Sequence, residues 1–312
     1  MADQADAEAY DAIIIGAGVS GLYQLLRFRE LGLSTRVFEA GSDVGGTWYW
    51  NRYPGARFDS ESWSYGYSFS GEVLAEWEWS EHFSAQPETL RYLSFVADKF
   101  DLRRDIQFNT RVNAAVYDES THRWEVEFED GSRASARLVV AAVGGLSIPT
   151  MPAVAGIDSF QGASFHTGQW PHEPVDFAGL RVAVIGTGAT GVQVIQEVAK
   201  TAGTLTVFQR HHNWCAPLHN RPITEDEQPQ IKASYPEIFA KCAETFGAFV
   251  HRPDERMALD VTEEEREALF EKLYAEPGFG IWMANFRDLL LVEAANAKIG
   301  TASCRERVYV LV

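Results

Sequence analysis

The feature that most constrains this chain is a glycine pattern that occurs twice. Gly16-Ala17-Gly18-Val19-Ser20-Gly21 and Gly186-Thr187-Gly188-Ala189-Thr190-Gly191 both read Gly-x-Gly-x-x-Gly. Such a run carries information only where it joins a strand to a helix. Residues 12–15 are a short apolar run leading into Gly16. Leu22, Leu25, Leu26 and Phe28 then recur at helical spacing as far as Gly32, and residues 35–39 read as a second strand. Gly32 suits a helix C-terminus because it tolerates positive φ. The same order returns later: strand 182–185, helix 192–199, strand 205–208. Each copy is a βαβ unit in which the first glycine makes the tight turn, the second admits backbone close to a pyrophosphate and the third lets helix pack on strand. The helix N-terminus offers N–H groups and its dipole to the phosphates. The expected fold class is α/β, with two Rossmann-like dinucleotide-binding domains and a helical insertion in the second.

The second strands set the nucleotide preference. Glu39 ends the first, about 20 residues beyond its glycines, where a carboxylate accepts from ribose hydroxyls and repels a 2′-phosphate. Arg210 ends the other, and a guanidinium there pairs with a 2′-phosphate. The first loop is thus expected to take FAD or NAD and the second NADP. A solvated charge at a strand end is the plainer alternative for Arg210.

Between the loops, residues 41–80 are rich in Gly, Trp and Tyr and read as structured loop. A helix is expected over 87–100, from Leu90, Leu93 and Val96. Trp124, Val126 and Phe128 alternate with Glu125, Glu127 and Glu129 as in a half-buried strand, followed by a turn at Asp130-Gly131. Residues 138–143 read as a buried strand ending at Gly144-Gly145, and Pro149 and Pro152 mark a linker. Residues 217–297 read as helical, with a capping box at Thr262 and Glu265 and a last helix over 286–297. The expected domains are 1–148, a linker over 149–179, and 180–297. Residues 298–312 are expected to be a non-native tail: they lack a helical or strand period and resemble the translation of a sequencing-library adapter.

A net charge of −17 over 312 residues argues against a nucleic-acid partner. No apolar run approaches the ~18 residues of a membrane span, and the polar, acidic start lacks the pattern of a secretion signal. Cys215, Cys242 and Cys304 are too widely spaced for a disulfide framework or a zinc site. The expected compartment is the reducing cytoplasm, no metal is expected, and no Cys-x-x-Cys pair supports a disulfide reductase.

Two further stretches carry a family resemblance. Gly45-Gly46-Thr47-Trp48, with Tyr53-Pro54-Gly55-Ala56-Arg57-Phe58-Asp59, resembles the region after the first βαβ unit of Baeyer–Villiger monooxygenases. Phe160-x-Gly162-x-x-x-His166-x-x-x-Trp170-Pro171 resembles that family's fingerprint. The resemblance runs from about residue 10 to about 297. Related N- and S-oxygenating flavin monooxygenases carry a similar stretch, but with a smaller aromatic where Trp170 stands. Phe58 departs from the Cys of many relatives, and Val143 from an Ala-Thr-Gly stretch.

The resemblance implies an FAD site of Gly16, Gly18, Ser20, Gly21, Glu39, Gly46, Thr47, Trp48, Tyr53, Asp59, Tyr65 and Val112. It implies an NADPH site of Arg57, Gly186, Thr187, Gly188, Ala189, Thr190, Gly191 and Arg210. His166 and Trp170 are expected to organise the linker. Asp59 is the catalytic candidate, expected near the flavin and orienting an arginine that this chain lacks: Arg252, Arg256, Arg266, Arg287, Arg305 and Arg307 do not match its surroundings. In isolation Trp48, Tyr49, Trp50 and Tyr53 read as core, and Asp59 as a surface acid. The implied activity passes hydride from NADPH to FAD, forms a flavin C4a-peroxide with O2, and converts a ketone or aldehyde to an ester or lactone. No Ser/His/Asp triad is invoked. The alternatives are an N- or S-oxygenating flavin monooxygenase and a non-catalytic nucleotide-binding fragment. The 312-residue chain alone is expected to be poorly soluble and inactive in oxygenation.

Overall fold

The computed structural model describes residues 8–210, 213 and 215–302. The described residues divide into two compact units, one of those up to 53 and of 86–175, the other of 54–85 and of those from 176 onwards.

The first unit is built on a mixed, Rossmann-like sheet. Its strands are β1 (Glu8–Ile15), β2 (Thr35–Phe38), β3 (Ile106–Gln107), β4 (Val112–Asp118), β5 (Arg123–Phe128) and β6 (Arg133–Ala141), in the order β3-β2-β1-β6-β5-β4. β1, β2, β3 and β6 run parallel, while β5 is antiparallel to β4 and β6. Ala12, Ile13 and Ile14 are all fully buried. Unbroken burial of successive residues is what a central parallel strand covered on both faces requires. In β5, Val126 and Phe128 are buried and the intervening glutamates are not, as their alternation predicts. Phe38, Val126 and Phe128 join Ile13, Ala134 and Ala136 in one cluster, with the Phe38 and Phe128 ring centroids 4.3 Å apart.

Helix α1 (Val19–Glu30) buries Gly21, Leu22 and Leu25. The two leucines, essentially removed from water, contribute about 2 kcal/mol each. Gly32, at φ +73°, ends the helix as expected. Helix α2 (Gln86–Lys99) matches its expected span within a residue. The region expected as loop contains three short helices, Thr47–Trp50, Ser62–Tyr65 and Gly71–Glu76. The strand expected over 138–143 is β6, which starts earlier, ends at Ala141 and leaves Val143 exposed.

The second unit contains the other βαβ repeat. β7 (Arg181–Ile185) and β8 (Thr204–Phe208) pair in parallel and flank α3 (Ala189–Val198). Among the described residues this sheet has two strands, and its apolar ends are open: Ile185 is 69% and Phe208 51% exposed. Helices Glu227–Ala233 and Tyr235–Glu244 follow, then α4 (Glu263–Ala275). The expected capping box is formed: Thr262 Oγ1 accepts the Glu265 N–H at 3.2 Å, and Glu265 Oε2 accepts the Thr262 N–H at 2.9 Å.

Two expectations are corrected. The first domain is not continuous over 1–148, because residues 54–85 fold into the second unit. Phe83 is fully buried there, His82 N–H donates to Arg221 O at 3.0 Å, and Ile223 N–H donates to Ser80 O at 2.9 Å. The last helix does not begin at Phe286 either. Phe286 and Leu289 are buried in a turn with Ala258 and Phe270, and Asp288 Oδ1 accepts the Ala258 N–H at 2.8 Å. A side-chain acceptor committed to distant backbone holds the turn, so the helix spans Glu293–Ala302. Residues 298–302 are therefore helical, contrary to expectation. Cys304, Arg305, Arg307 and the rest of the expected tail lie outside the described residues.

Candidate functional site

Both glycine turns are made by the same contacts. Gly16 sits at φ +102° and donates its N–H to Phe38 O at 2.8 Å. Gly186 sits at φ +103° and donates to Phe208 O at 2.8 Å. A Cβ on Gly21 would lie 1.9 Å from Gly16 O, and one on Gly191 would lie 2.4 Å from Gly186 O. The first and third glycines of each motif are thus required by the turn itself. Both helices start at the second glycine, Gly18 or Gly188, with no side-chain cap and no acid in the first turn. Residue type and geometry at both turns fit a bound pyrophosphate. Ser20 is exposed in the first turn of α1, and Ala189 and Thr190 open α3.

Around the first turn the backbone is crowded. A Cβ on Gly18 would approach Gly46 Cα to 3.2 Å, and one on Gly46, at φ +52°, would approach Gly18 Cα to 2.7 Å. Gly45 N–H donates to Ala17 O at 3.0 Å. The Gly45-Gly46 turn is therefore seated on the glycine loop. The Glu39 carboxylate is 5% exposed and braces the same place: Oε2 accepts the Ala17 N–H and Oε1 the Gly41 N–H, each at 2.7 Å. A carboxylate has about four acceptor directions, so this bracing leaves capacity for ribose hydroxyls. Thr47 starts a short helix, Trp48 is buried in it, and Gln86 Nε2 donates to Trp48 O at 2.5 Å. Tyr53 is half-buried, and Val112, at the start of β4, packs on the sheet core.

In the second unit Arg210 is exposed just past β8, at the expected place. Asn213, which no motif marks, donates from Nδ2 to Thr187 O at 2.5 Å and so ties the chain after β8 to the glycine loop. The Pro54-Gly55-Ala56-Arg57 segment lies on α3. Gly55 has φ +81°, and a Cβ there would meet Gln193 O at 2.7 Å. Gln193 Nε2 donates to Arg57 O at 3.1 Å. Arg57 Nη1 donates to Glu81 Oε2 at 2.9 Å and to Phe83 O at 3.0 Å. Phe58 is buried, stacked on Tyr65 with centroids 4.3 Å apart and edge-on to Trp79. An aromatic here extends this stack. Asp59 is half-buried, and no described residue hydrogen-bonds its carboxylate. Burial pushes its carboxyl above the usual carboxylate range, opposed by the positive charge of Arg57.

The expected FAD residues are therefore divided: Asp59 and Tyr65 belong to the second unit and the others to the first. The fingerprint residues lie in the first. His166 Nδ1 accepts the Gly168 N–H at 3.1 Å and caps a short 3₁₀ turn. Trp170 is half-buried, 5.3 Å from the Phe165 ring and followed by Pro171. Phe160 is exposed, and a Cβ on Gly162 would meet its ring at 2.6 Å. Among the described residues no helix is long and apolar enough to cross a membrane, and no group of three His, Cys, Asp or Glu could hold a metal ion.

Two nucleotide-type turns joined by this fingerprint define a class. Residues 9–222 match the flavin-binding monooxygenase-like family, and the chain belongs to that family. Within it the chain is a homologue of Baeyer–Villiger monooxygenases. It is 48% identical over 302 residues to 2-oxo-Δ(3)-4,5,5-trimethylcyclopentenylacetyl-CoA monooxygenase of Pseudomonas putida, covering 95% of this chain and 55% of that protein. It is 42% identical over 289 residues to a Baeyer-Villiger monooxygenase of Pseudooceanicola batsensis, covering 92% and 53%. The crystal structure of OTEMO in complex with FAD and NADP superposes with a TM-score of 0.91 at 48% identity, covering 96% of this chain and 57% of that one. The chain spans about half the length of the curated relatives it matches.

Proposed function

We propose that this chain binds FAD on the first glycine loop and NADPH on the second, as two Rossmann-like domains. In this reading it belongs to a cytoplasmic monooxygenase that inserts one oxygen atom of O2 beside the carbonyl of a ketone or aldehyde. The observation that carries the assignment is the contrast at the two second-strand ends. The Glu39 carboxylate is buried against the first loop, where hydroxyls can donate to it and a 2′-phosphate is repelled. Arg210 is exposed beyond the second, where its guanidinium can take that phosphate. The relatives support the chemistry: one named for a 2-oxo compound, another for Baeyer–Villiger oxidation, and a structure holding FAD and NADP.

In this reading NADPH supplies hydride and FAD supplies oxygen activation. The protein's own residues bind, orient and exclude water. Gly16, Gly18 and Gly21 with Gly45 and Gly46 shape the FAD cradle, together with Ser20, Thr47, Trp48, Tyr53 and Val112. Gly186 to Gly191 and Arg57 hold NADPH. Tyr65 and Asp59 stand with Arg57, and the Asp59 carboxylate, unpartnered among the described residues, accepts from a cationic side chain brought to it. His166 and Trp170 fix the linker.

Product analysis tests the activity. A protein of the relatives' full length that contains this chain, supplied with FAD, NADPH, O2 and a cyclic ketone, is expected to give the lactone, and with a tertiary amine little N-oxide. N-oxide as the dominant product would replace carbonyl oxygenation with heteroatom oxygenation. The 312-residue chain tests the cofactor assignment by itself: NADPH added without oxygen should bleach the visible absorbance of bound flavin.

A further inference from the structure

We propose that Glu81 and Asn220 are positioning residues that hold the Arg57 guanidinium ready for an acceptor oxygen of NADPH. The inference rests on the reading of the second glycine loop as the NADPH site. Four residues form a closed ring of hydrogen bonds in the second unit. Arg57 Nη1 donates to Glu81 Oε2 at 2.9 Å and to Phe83 O at 3.0 Å. Asn220 Nδ2 donates to the same Glu81 Oε2 at 2.6 Å, and Asn220 Oδ1 accepts the Phe83 N–H at 3.0 Å. Residue 220 thus fixes both acceptors that Arg57 uses. Glu81 is held in turn through its backbone, by Ser62 Oγ donating to Glu81 O at 2.7 Å and by a bridge to Pro222.

The ring engages one nitrogen of the arginine and leaves the rest. Guanidinium carries five N–H donors in a fixed fork, and no described residue partners Nε or Nη2 of Arg57. That edge carries two N–H groups side by side, the geometry that binds oxygen acceptors in a bidentate fashion. The backbone of Arg57 is meanwhile tied to the glycine-loop helix, with Gln193 Nε2 donating to Arg57 O and Gly55 in close approach to Gln193 O. The main chain of Arg57 is thereby fixed on the helix that opens at Gly186-Gly191, and its guanidinium is fixed by the ring. A free arginine side chain would lose its rotamer freedom on binding the nucleotide; the ring orders it beforehand.

A double-mutant cycle on the full chain, read as the Kd for NADP+, tests this. Arg57→Ala and Glu81→Ala are each expected to raise the Kd about tenfold, the loss of one charge-assisted hydrogen bond. The double variant is expected to be no weaker than Arg57→Ala alone, because Glu81 acts through Arg57. Asn220→Ala should fall in the same direction with a smaller change, and FAD affinity should not move in any variant. Glu81→Gln keeps the side chain's shape and serves where Glu81→Ala melts early; it should weaken binding about threefold. An unchanged or tighter Kd in the Glu81 variants, or losses that multiply in the double variant, would overturn the proposal. If Arg57→Ala itself leaves the Kd unchanged, the assignment of Arg57 to NADPH fails, and this inference falls with it.

Discussion

The two glycine loops share their turn and differ in their surroundings. Gly16 and Gly186 have nearly the same φ and make the same 2.8 Å bond to the end of the following strand. Gly21 and Gly191 are each forced by the carbonyl of the turn. The middle glycines part company. Gly18 faces the backbone of Gly46 at close range, whereas no described residue lies within 4 Å of where a Cβ of Gly188 would stand. The first loop is already packed by protein on that side, and the second is not packed there by any described residue. The first and third glycines therefore serve the fold in both copies. Among the described residues the middle glycine meets a packing constraint only in the first loop; in the second, the proposed NADPH site gives the reason for a glycine there. Among the described residues the carboxylate that braces the first loop from Glu39 likewise has no counterpart in the second, where Arg210 stands exposed.

Substitutions at corresponding positions sharpen this contrast. The largest effect is expected at the shared positions. Gly21→Ala and Gly191→Ala each place a methyl inside the turn and should cost about 3 kcal/mol, the upper range for overpacking, measurable by urea unfolding. Similar stability in either variant and wild type would show that the turn relaxes and that the geometry is not required. Next is Glu39→Ala, which strips two backbone N–H groups of their acceptor. We expect about 2 kcal/mol of lost stability together with loss of FAD affinity; Arg210→Ala, its positional counterpart, should leave stability within about 0.5 kcal/mol. The middle glycines then separate the copies directly. Gly18→Ala should lower stability by about 1 kcal/mol. Gly188→Ala should leave the unfolding midpoint unmoved while NADPH affinity drops about tenfold. Equal destabilisation by both would erase the distinction.

The smallest effects concern pH and the second unit. Burial raises the Asp59 carboxyl above its ordinary value of 3.8. The folded state then holds this proton more tightly than the unfolded chain, so the contribution is favourable below that value and is lost as pH rises through the folded pKa. Asp59→Asn should flatten that part of the profile. Asp254 behaves oppositely: Arg256, donating to its carboxylate, holds it down to about 2. Its contribution is present above pH ~4 and disappears as pH falls towards 2, and Asp254→Asn should reduce the acid sensitivity over that window. Stability profiles between pH 2 and 7 for both variants check the two signs.

Local structure was the legible part of the fold. Both βαβ units, the alternating β5 and the capping box at Thr262 depend on residues a few positions apart, and their patterns survive folding intact. The interleaving of residues 54–85 was not legible, because it is made by bonds such as Asn220 to Glu81 and Ile223 to Ser80, which no local period announces. The turn at 286–292 failed for a related reason: Phe286 and Leu289 show an apolar spacing that fits a helix, and only the distant bond from Ala258 to Asp288 decides against it. At the candidate site, the glycines, Glu39 and Arg210 announce themselves by type and position. The bracing of the first loop by Glu39, the tie from Asn213 to Thr187 and the ring around Arg57 do not, since each joins a common polar residue to a backbone group or side chain far away in sequence.

The central claim is that the two loops accept different dinucleotides, and the direct test is a titration of NADPH and NADH into the FAD-loaded chain and into its Arg210→Ala variant. Wild type should bind NADPH at least tenfold more tightly than NADH, and Arg210→Ala should bring the two close to parity with FAD still bound. An unchanged preference in the variant, or release of FAD in place of a change in NADPH binding, would contradict the assignment.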